Sequence, residues 1–166
     1  MESERLSILK ELSSYSEQKL SEKPSPNQWS VAEVIMHLVI AERGALAYMN
    51  KKLEFGGHGK AAIGSGLKQR LLNLAITIPG LKYKAPTVVE LKKEDSVDYA
   101  EAKAKWDAVR SEMKKEYEAL DEKLAEHELF KHPAAGKMSL LQGIRFMRQH
   151  MNRHIGQIRN TAKAVS

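Results

Sequence analysis

The chain has 166 residues, 27 Lys and Arg against 21 Asp and Glu, and no cysteine. At this length one hydrophobic core sustains a fold without disulfides or a structural metal, so a single domain spanning residues 1–166 is expected. The missing thiol excludes Cys-ligated zinc, iron–sulfur clusters and cysteine nucleophiles. No stretch has the apolar length of a bilayer span, and Met1-Glu2-Ser3-Glu4-Arg5 lacks a signal peptide's apolar region, so the expected setting is the cytoplasm, with no membrane partner.

The formal charge of +6 is segregated along the chain. Residues 1–50 carry five bases and seven acids, 51–93 nine and two, 94–131 seven and twelve, and 132–166 six and none. The excess therefore sits in a final segment that has no carboxylate yet holds His132, His150 and His154. No nucleic-acid motif accompanies the basic balance, and a nucleic-acid partner is not expected.

Four long segments have helical periodicity. Residues 3–20 place Leu6, Leu9, Ser13, Ser16 and Leu20 on a weakly apolar stripe. Pro24 and Pro26 then separate this segment from one running from Ser30 to about Leu53, with Val34, Leu38, Ala41, Ala45 and Tyr48 on its stripe. Ser30 and Glu33 have the spacing of a capping box, and Trp29 with Val34 that of a hydrophobic staple. Five of the ten glycines fall between Gly56 and Gly66, and the Gly59-Lys60 pair there is not a phosphate-binding loop, because Ala61 stands where Ser or Thr belongs. A short helix over Leu67–Ile76 and a long connection to Asp95 follow. The third long helix runs from Val97 to about Leu129 through Ala102, Trp106, Val109, Met113, Leu120 and Leu124. The last runs from Ser139 to about Ala164, with Ser139 and Gln142 forming a second capping box after a Gly136-Lys137 turn. The expected fold is all-α, a four-helix bundle with one short extra helix and long connecting loops.

His150 and His154 are four apart on the final helix, a spacing that lets two neutral imidazoles share one divalent ion. On a helical wheel Gly143, Phe146, Met147, His154 and Gln157 cluster around His150, while Arg145, Arg148 and Arg159 fall opposite. Two imidazoles on an inward stripe need partners, which either protein groups or a shared metal would supply. His37 lies on a comparable stripe with Ser30, Glu33, Val34, Ala41, Gly44 and Tyr48, and it completes a three-histidine site if the two helices are neighbours. Glu42 points away from it.

Three motifs, Trp29-Ser30-x-x-Glu33-x-x-x-His37-Leu38, His132-Pro133-x-x-Gly136-x-x-Ser139 and His150-x-x-x-His154-x-x-Gln157, make the chain resemble the DinB/YfiT-like family of small bacterial metal-binding bundles. The resemblance implies an up-down-down-up arrangement of the long helices, frequent homodimers, and one divalent metal on His37, His150 and His154. It also implies chemistry of the kind known for characterised relatives, which include S-transferases and an isomerase that use low-molecular-weight thiols such as bacillithiol or mycothiol.

Three histidines leave a coordination position open, as catalytic metal sites do, and they accept zinc, nickel, copper or iron. With the resemblance, the expected function is a metal-dependent, thiol-dependent S-transferase or a hydrolase acting on a small electrophilic molecule. The competing reading is a metal- or ligand-binding bundle without turnover, which requires a fourth protein ligand or a closed pocket. Tyr48, Arg153 and Gln157 are candidates for orienting a ligand or substrate. Glu33 is assigned to its capping box, His132 to a turn, and His58 and His127 to solvent. Arg145, Arg148 and Arg159 pair with the acidic 94–131 segment or face water.

Overall fold

A computed structural model describes residues 1–61, 97–132 and 135–166. Its elements are helices α1 (Glu2–Leu12), α2 (Glu17–Ser21), α3 (Val31–Phe55) and α4 (Tyr99–Glu118), a 3₁₀ turn (Glu122–Glu126), strands β1 (Phe130–His132) and β2 (Gly136–Met138), and helix α5 (Leu140–Ala164). The architecture is the expected all-α bundle. The short helix expected over Leu67–Ile76 lies outside the described residues.

Both capping boxes form. Glu33 N donates to Ser30 Oγ at 3.1 Å while Ser30 N donates to Glu33 Oε2 at 2.8 Å, and Glu33 also meets Lys23 at 2.8 Å. At α5, Gln142 N donates to Ser139 Oγ at 3.2 Å and Ser139 N to Gln142 Oε1 at 2.9 Å. These start α3 and α5 at defined residues and so fix which faces carry the histidines. Gly56, with φ +72°, closes α3 in a conformation that a side chain would strain.

Three boundaries differ from the sequence reading. The first segment breaks in two because the Ser13 and Ser14 hydroxyls donate back to the Lys10 and Glu11 carbonyls, and Ser16 caps a new start by accepting from Lys19 N. The third helix ends at Glu118 rather than near Leu129, where Asp121 caps the separate 3₁₀ turn. The segment before α5 is not a simple turn. Phe130, Lys131 and His132 pair antiparallel with Met138, Lys137 and Gly136 in a hairpin too short for a period-two pattern to reveal.

The main core is built from Ile8, Leu12, Ile35, Leu38, Met49, Trp106, Val109, Met151 and Ile158, among others. A smaller cluster of Phe130, Met138, Phe146 and Met147 holds the hairpin against α5 and touches Ala45 of α3. The hairpin sits close because α5 has a glycine beneath it: a Cβ at Gly143 would overlap Phe130 Cβ, Cγ and Cδ2. α3 packs against both α4 and α5, with the more extensive contact to α4. Two exposed arginines of α5 reach α1 rather than the 94–131 segment: Arg148 pairs with Glu4 and Arg159 with Glu11, each at 2.6 Å. No helix among the described residues is long and apolar enough to cross a membrane.

Candidate metal centre

α3 and α5 are neighbours, as a three-histidine site requires, and they bring His37, His150 and His154 together. His37 Nε2 lies 3.3 Å from His150 Nε2, and His154 Nε2 lies 3.2 Å from the same atom. One nitrogen from each ring falls within 4.8 Å of the other two. Two nitrogens bound tetrahedrally to one ion by bonds of about 2.0 to 2.1 Å stand about 3.3 Å apart, so the two short separations fit a shared divalent ion. No further His, Asp or Glu joins this group among the described residues.

The surroundings favour neutral rings with their lone pairs available. His37 is buried, while His150 and His154 are half-buried. Burial, and after it the positive charge of His154 and His37, holds the His150 pKa well below its ordinary 6.5. Burial followed by His37 brings His154 down to about 4, against a smaller opposing effect of Gln157. His154 Nδ1 donates to Gln157 Oε1 at 2.9 Å, which selects the tautomer whose Nε2 lone pair faces the other two rings. Gln157 therefore contacts one of the three histidines directly.

Arg153 is half-buried, and its charge acts on both His150 and His154. The charges acting most strongly on His150 belong to His154, His37, His132 and Arg153, all cationic groups. These surroundings oppose protonation of the rings. Tyr48, by contrast, does not reach the three histidines. It stands eleven residues beyond His37, about 16 Å along α3, with Lys52 Nζ 6.0 Å from its ring centroid.

Aromatic rings wall the site. Trp29 lies 5.2 Å from the His37 ring, a role beyond the staple its position indicates, and Phe146 stacks on His150 at 5.7 Å and 14°. His132 keeps its turn role, accepting from Ala135 N at 3.1 Å, and also sets its ring edge-on to Phe146 at 4.6 Å. The sequence signal for Phe146 was its place on the His150 stripe; nothing local marked Trp29 or His132 as neighbours of the site. His58 and His127 are not simply solvated. Their Nδ1 atoms lie 3.1 Å apart where Lys60 and His127 form a bridge between the glycine-rich segment and the residues after α4.

The family model described as the DinB superfamily matches residues 2–158. Among curated proteins, the chain is similar to the uncharacterized protein YuaE of Bacillus subtilis (strain 168), with 27% identity over 161 residues, covering 97% of this chain and 94% of that protein. No solved structure matches. With its helical bundle and the match over nearly its whole length, the chain belongs to the DinB superfamily.

Proposed function

We propose that the protein is a metal-dependent enzyme in which His37, His150 and His154 hold one divalent ion, and that it transfers a thiol sulfur to a small electrophilic molecule. The convergence of three imidazole nitrogens at 3.2 and 3.3 Å separations carries this reading. When bound, the ion supplies Lewis acidity at the position the histidines leave open, favouring the ionised form of a thiol or of water. The chain's own residues do the rest. Gln157 holds the His154 tautomer, Trp29 and Phe146 keep the His37 and His150 rings from turning and exclude water from one side, and Arg153 adds positive charge that favours an anionic thiolate. The thiol would release its proton to bulk water on ionising, the sulfur lone pair would then form the bond to the electrophile, and the leaving group would depart with its bonding electrons. Hydrolysis is the same scheme with water in place of the thiol.

Elemental analysis of purified protein beside a His154→Ala variant tests the site. The expected result is a single divalent transition metal per chain in the wild type and its loss in the variant; negligible metal in both rejects the site. Thiol consumption, followed with a panel of electrophiles in metal-loaded protein, tests the reaction. Metal retention without thiol consumption would instead make the protein a metal-binding bundle.

A further inference from the structure

Beyond the apolar cluster of Phe130, Met138, Phe146 and Met147, the C-terminal end of α3 and the hairpin enclose a groove of about 370 Å³. Its walls carry Tyr48, Lys51, Lys52, Phe55, Lys131 and Lys137. This volume is at the lower end of the range for small-molecule pockets.

The charge in the groove is poorly compensated. Lys131 and Lys137 are cross-strand partners in the hairpin, and like charges directly opposite one another oppose strand pairing. Lys137 has a carboxylate, Glu128, at 3.4 Å. Lys131 and Lys51 have no anionic partner among the described residues. Lys52 has a local explanation, since it lies in the last turn of α3 and donates to the Gly57 carbonyl at 3.2 Å. That explanation does not extend to the hairpin pair. Four lysines from three elements therefore line one space with one carboxylate beside Lys137, and Phe55, 73% exposed, also lines it.

The geometry points to a second ligand site, separate from the three histidines, that binds a small phosphate monoester carrying a flat ring. A phosphate brings close to two negative charges and three acceptor oxygens, which suit several lysines acting as point charges better than one carboxylate does. The ring of such a molecule covers the exposed Phe55 side chain. Binding relieves the repulsion between Lys131 and Lys137, so the hairpin is more stable when occupied.

Titration of isotopically labelled protein with phenyl phosphate, followed by backbone amide NMR, tests this site. The expected shifts are confined to residues 48–57, 131 and 137, and phenyl phosphate binds more tightly than inorganic phosphate. A Lys131→Gln/Lys137→Gln double variant loses about tenfold or more in affinity. Free of the opposed charges, it melts no lower than wild type without ligand, which separates lost binding from lost folding. Lys60→Gln, which removes an exposed lysine paired with Glu126 outside the groove, leaves binding unchanged. The His154→Ala variant also binds phenyl phosphate normally, so failure of the metal reading and failure of this one are distinguishable. Equal affinity in the double variant, equal weakening by Lys60→Gln, or displacement by a single-stranded oligonucleotide with a steep salt dependence would each overturn the proposal.

Discussion

His37 and Glu42 stand five residues apart on α3, about 140° around the helix, and both are buried. On the side facing α4, Glu42 is answered by groups of opposite character. Arg110 donates to Glu42 Oε1 at 2.6 Å and Trp106 Nε1 to Oε2 at 3.2 Å, while the same guanidinium touches Met151 Sδ at 3.0 Å. On the side facing α5, His37 is answered by two more imidazoles with the same capacities as itself. In the first cluster both carboxylate oxygens of Glu42 are answered within the protein. The second is three like donors around one point, which protein chemistry leaves repulsive once the rings charge. Burial alone does not mark a functional site; the convergence of three like ring nitrogens on one point does.

The strongest way to break this contrast is to remove the cation that answers Glu42. Arg110→Met leaves the Glu42 carboxylate buried without its cation, and a broken buried pair costs about 3–5 kcal/mol, measured by denaturant unfolding at neutral pH. Burial already raises the Glu42 pKa above 4.5 despite Arg110 and Trp106. For a carboxyl raised on folding, ionisation costs stability as pH rises through 4.5 toward the folded value. Losing Arg110 raises it further, so the deficit grows above pH 4.5 and narrows below it, where Glu42 is protonated in both states.

The histidine cluster should behave in the opposite way. His154→Ala leaves no orphaned counter-charge, and its main effect is to abolish stabilisation by added zinc or nickel, about 2.7 kcal/mol for wild type at a hundredfold excess over Kd. The pH profile of metal-free protein gives an independent check. His154 has a folded pKa of about 4, below its ordinary 6.5, so it takes up a proton on unfolding. Its contribution is present above pH 6.5 and is lost as pH falls from 6.5 through about 4. The variant should lose less stability over that window than wild type.

The histidine side of α3 was easier to read in the sequence than the Glu42 side, for a physical reason. His150 and His154 share one helix and announce themselves by spacing, Ser30 and Ser139 fix the start of each helix, and the motif resemblance supplies the contact between α3 and α5 that periodicity cannot. The pairing of Glu42 with Trp106 and Arg110 spans 64 and 68 residues and has no local pattern. One signal was present: Glu42 sits between Leu38 and Leu46 on an apolar stripe, and Arg110 sits beside Trp106 and Met113 on another. A charge in the middle of each stripe indicates a partner across the interface. The hairpin, the Ser13–Ser16 break and the clips from α5 to α1 depend on three-residue strands, serine back-bonding and surface pairing. Those cues are weak or tertiary in origin, which is why the arginines of α5 were expected either to pair with the 94–131 segment or to face water, whereas Arg148 and Arg159 meet Glu4 and Glu11.

Among the described residues the hairpin packs on the histidine-bearing faces of α5 and α3, so disturbing its seat should separate the two clusters. Gly143→Ala drives a methyl group into the base of the Phe130 side chain, which is anchored in β1 and cannot simply swing away. An overpacking cost of about 1–3 kcal/mol is expected in chemical denaturation. Because Phe146 lies between the hairpin and His150, the same change should shift the His150 and His154 ring resonances while leaving the Trp106 indole N–H in place. Equal disturbance of Trp106 would show that the two sides of α3 are mechanically one unit.

The smallest expected effect discriminates most finely. Gln157 is exposed and its hydrogen-bond partner is His154 Nδ1, so Gln157→Leu should leave unfolding stability near that of wild type. What it removes is the acceptor that holds the Nδ1–H tautomer. The imidazole then divides between two tautomers, one of which points a proton at His150, and metal affinity should fall about tenfold. Gln157→Glu keeps an acceptor at the same place and should restore affinity, with the added negative charge raising the His154 pKa and making binding more sensitive to acid. If Leu and Glu weaken metal binding equally, the hydrogen bond to Gln157 is incidental to the site. If only Leu does, the completeness that Glu42 finds inside the protein has its counterpart in a histidine cluster held ready, with one proton fixed on the outside, for a cation at its centre.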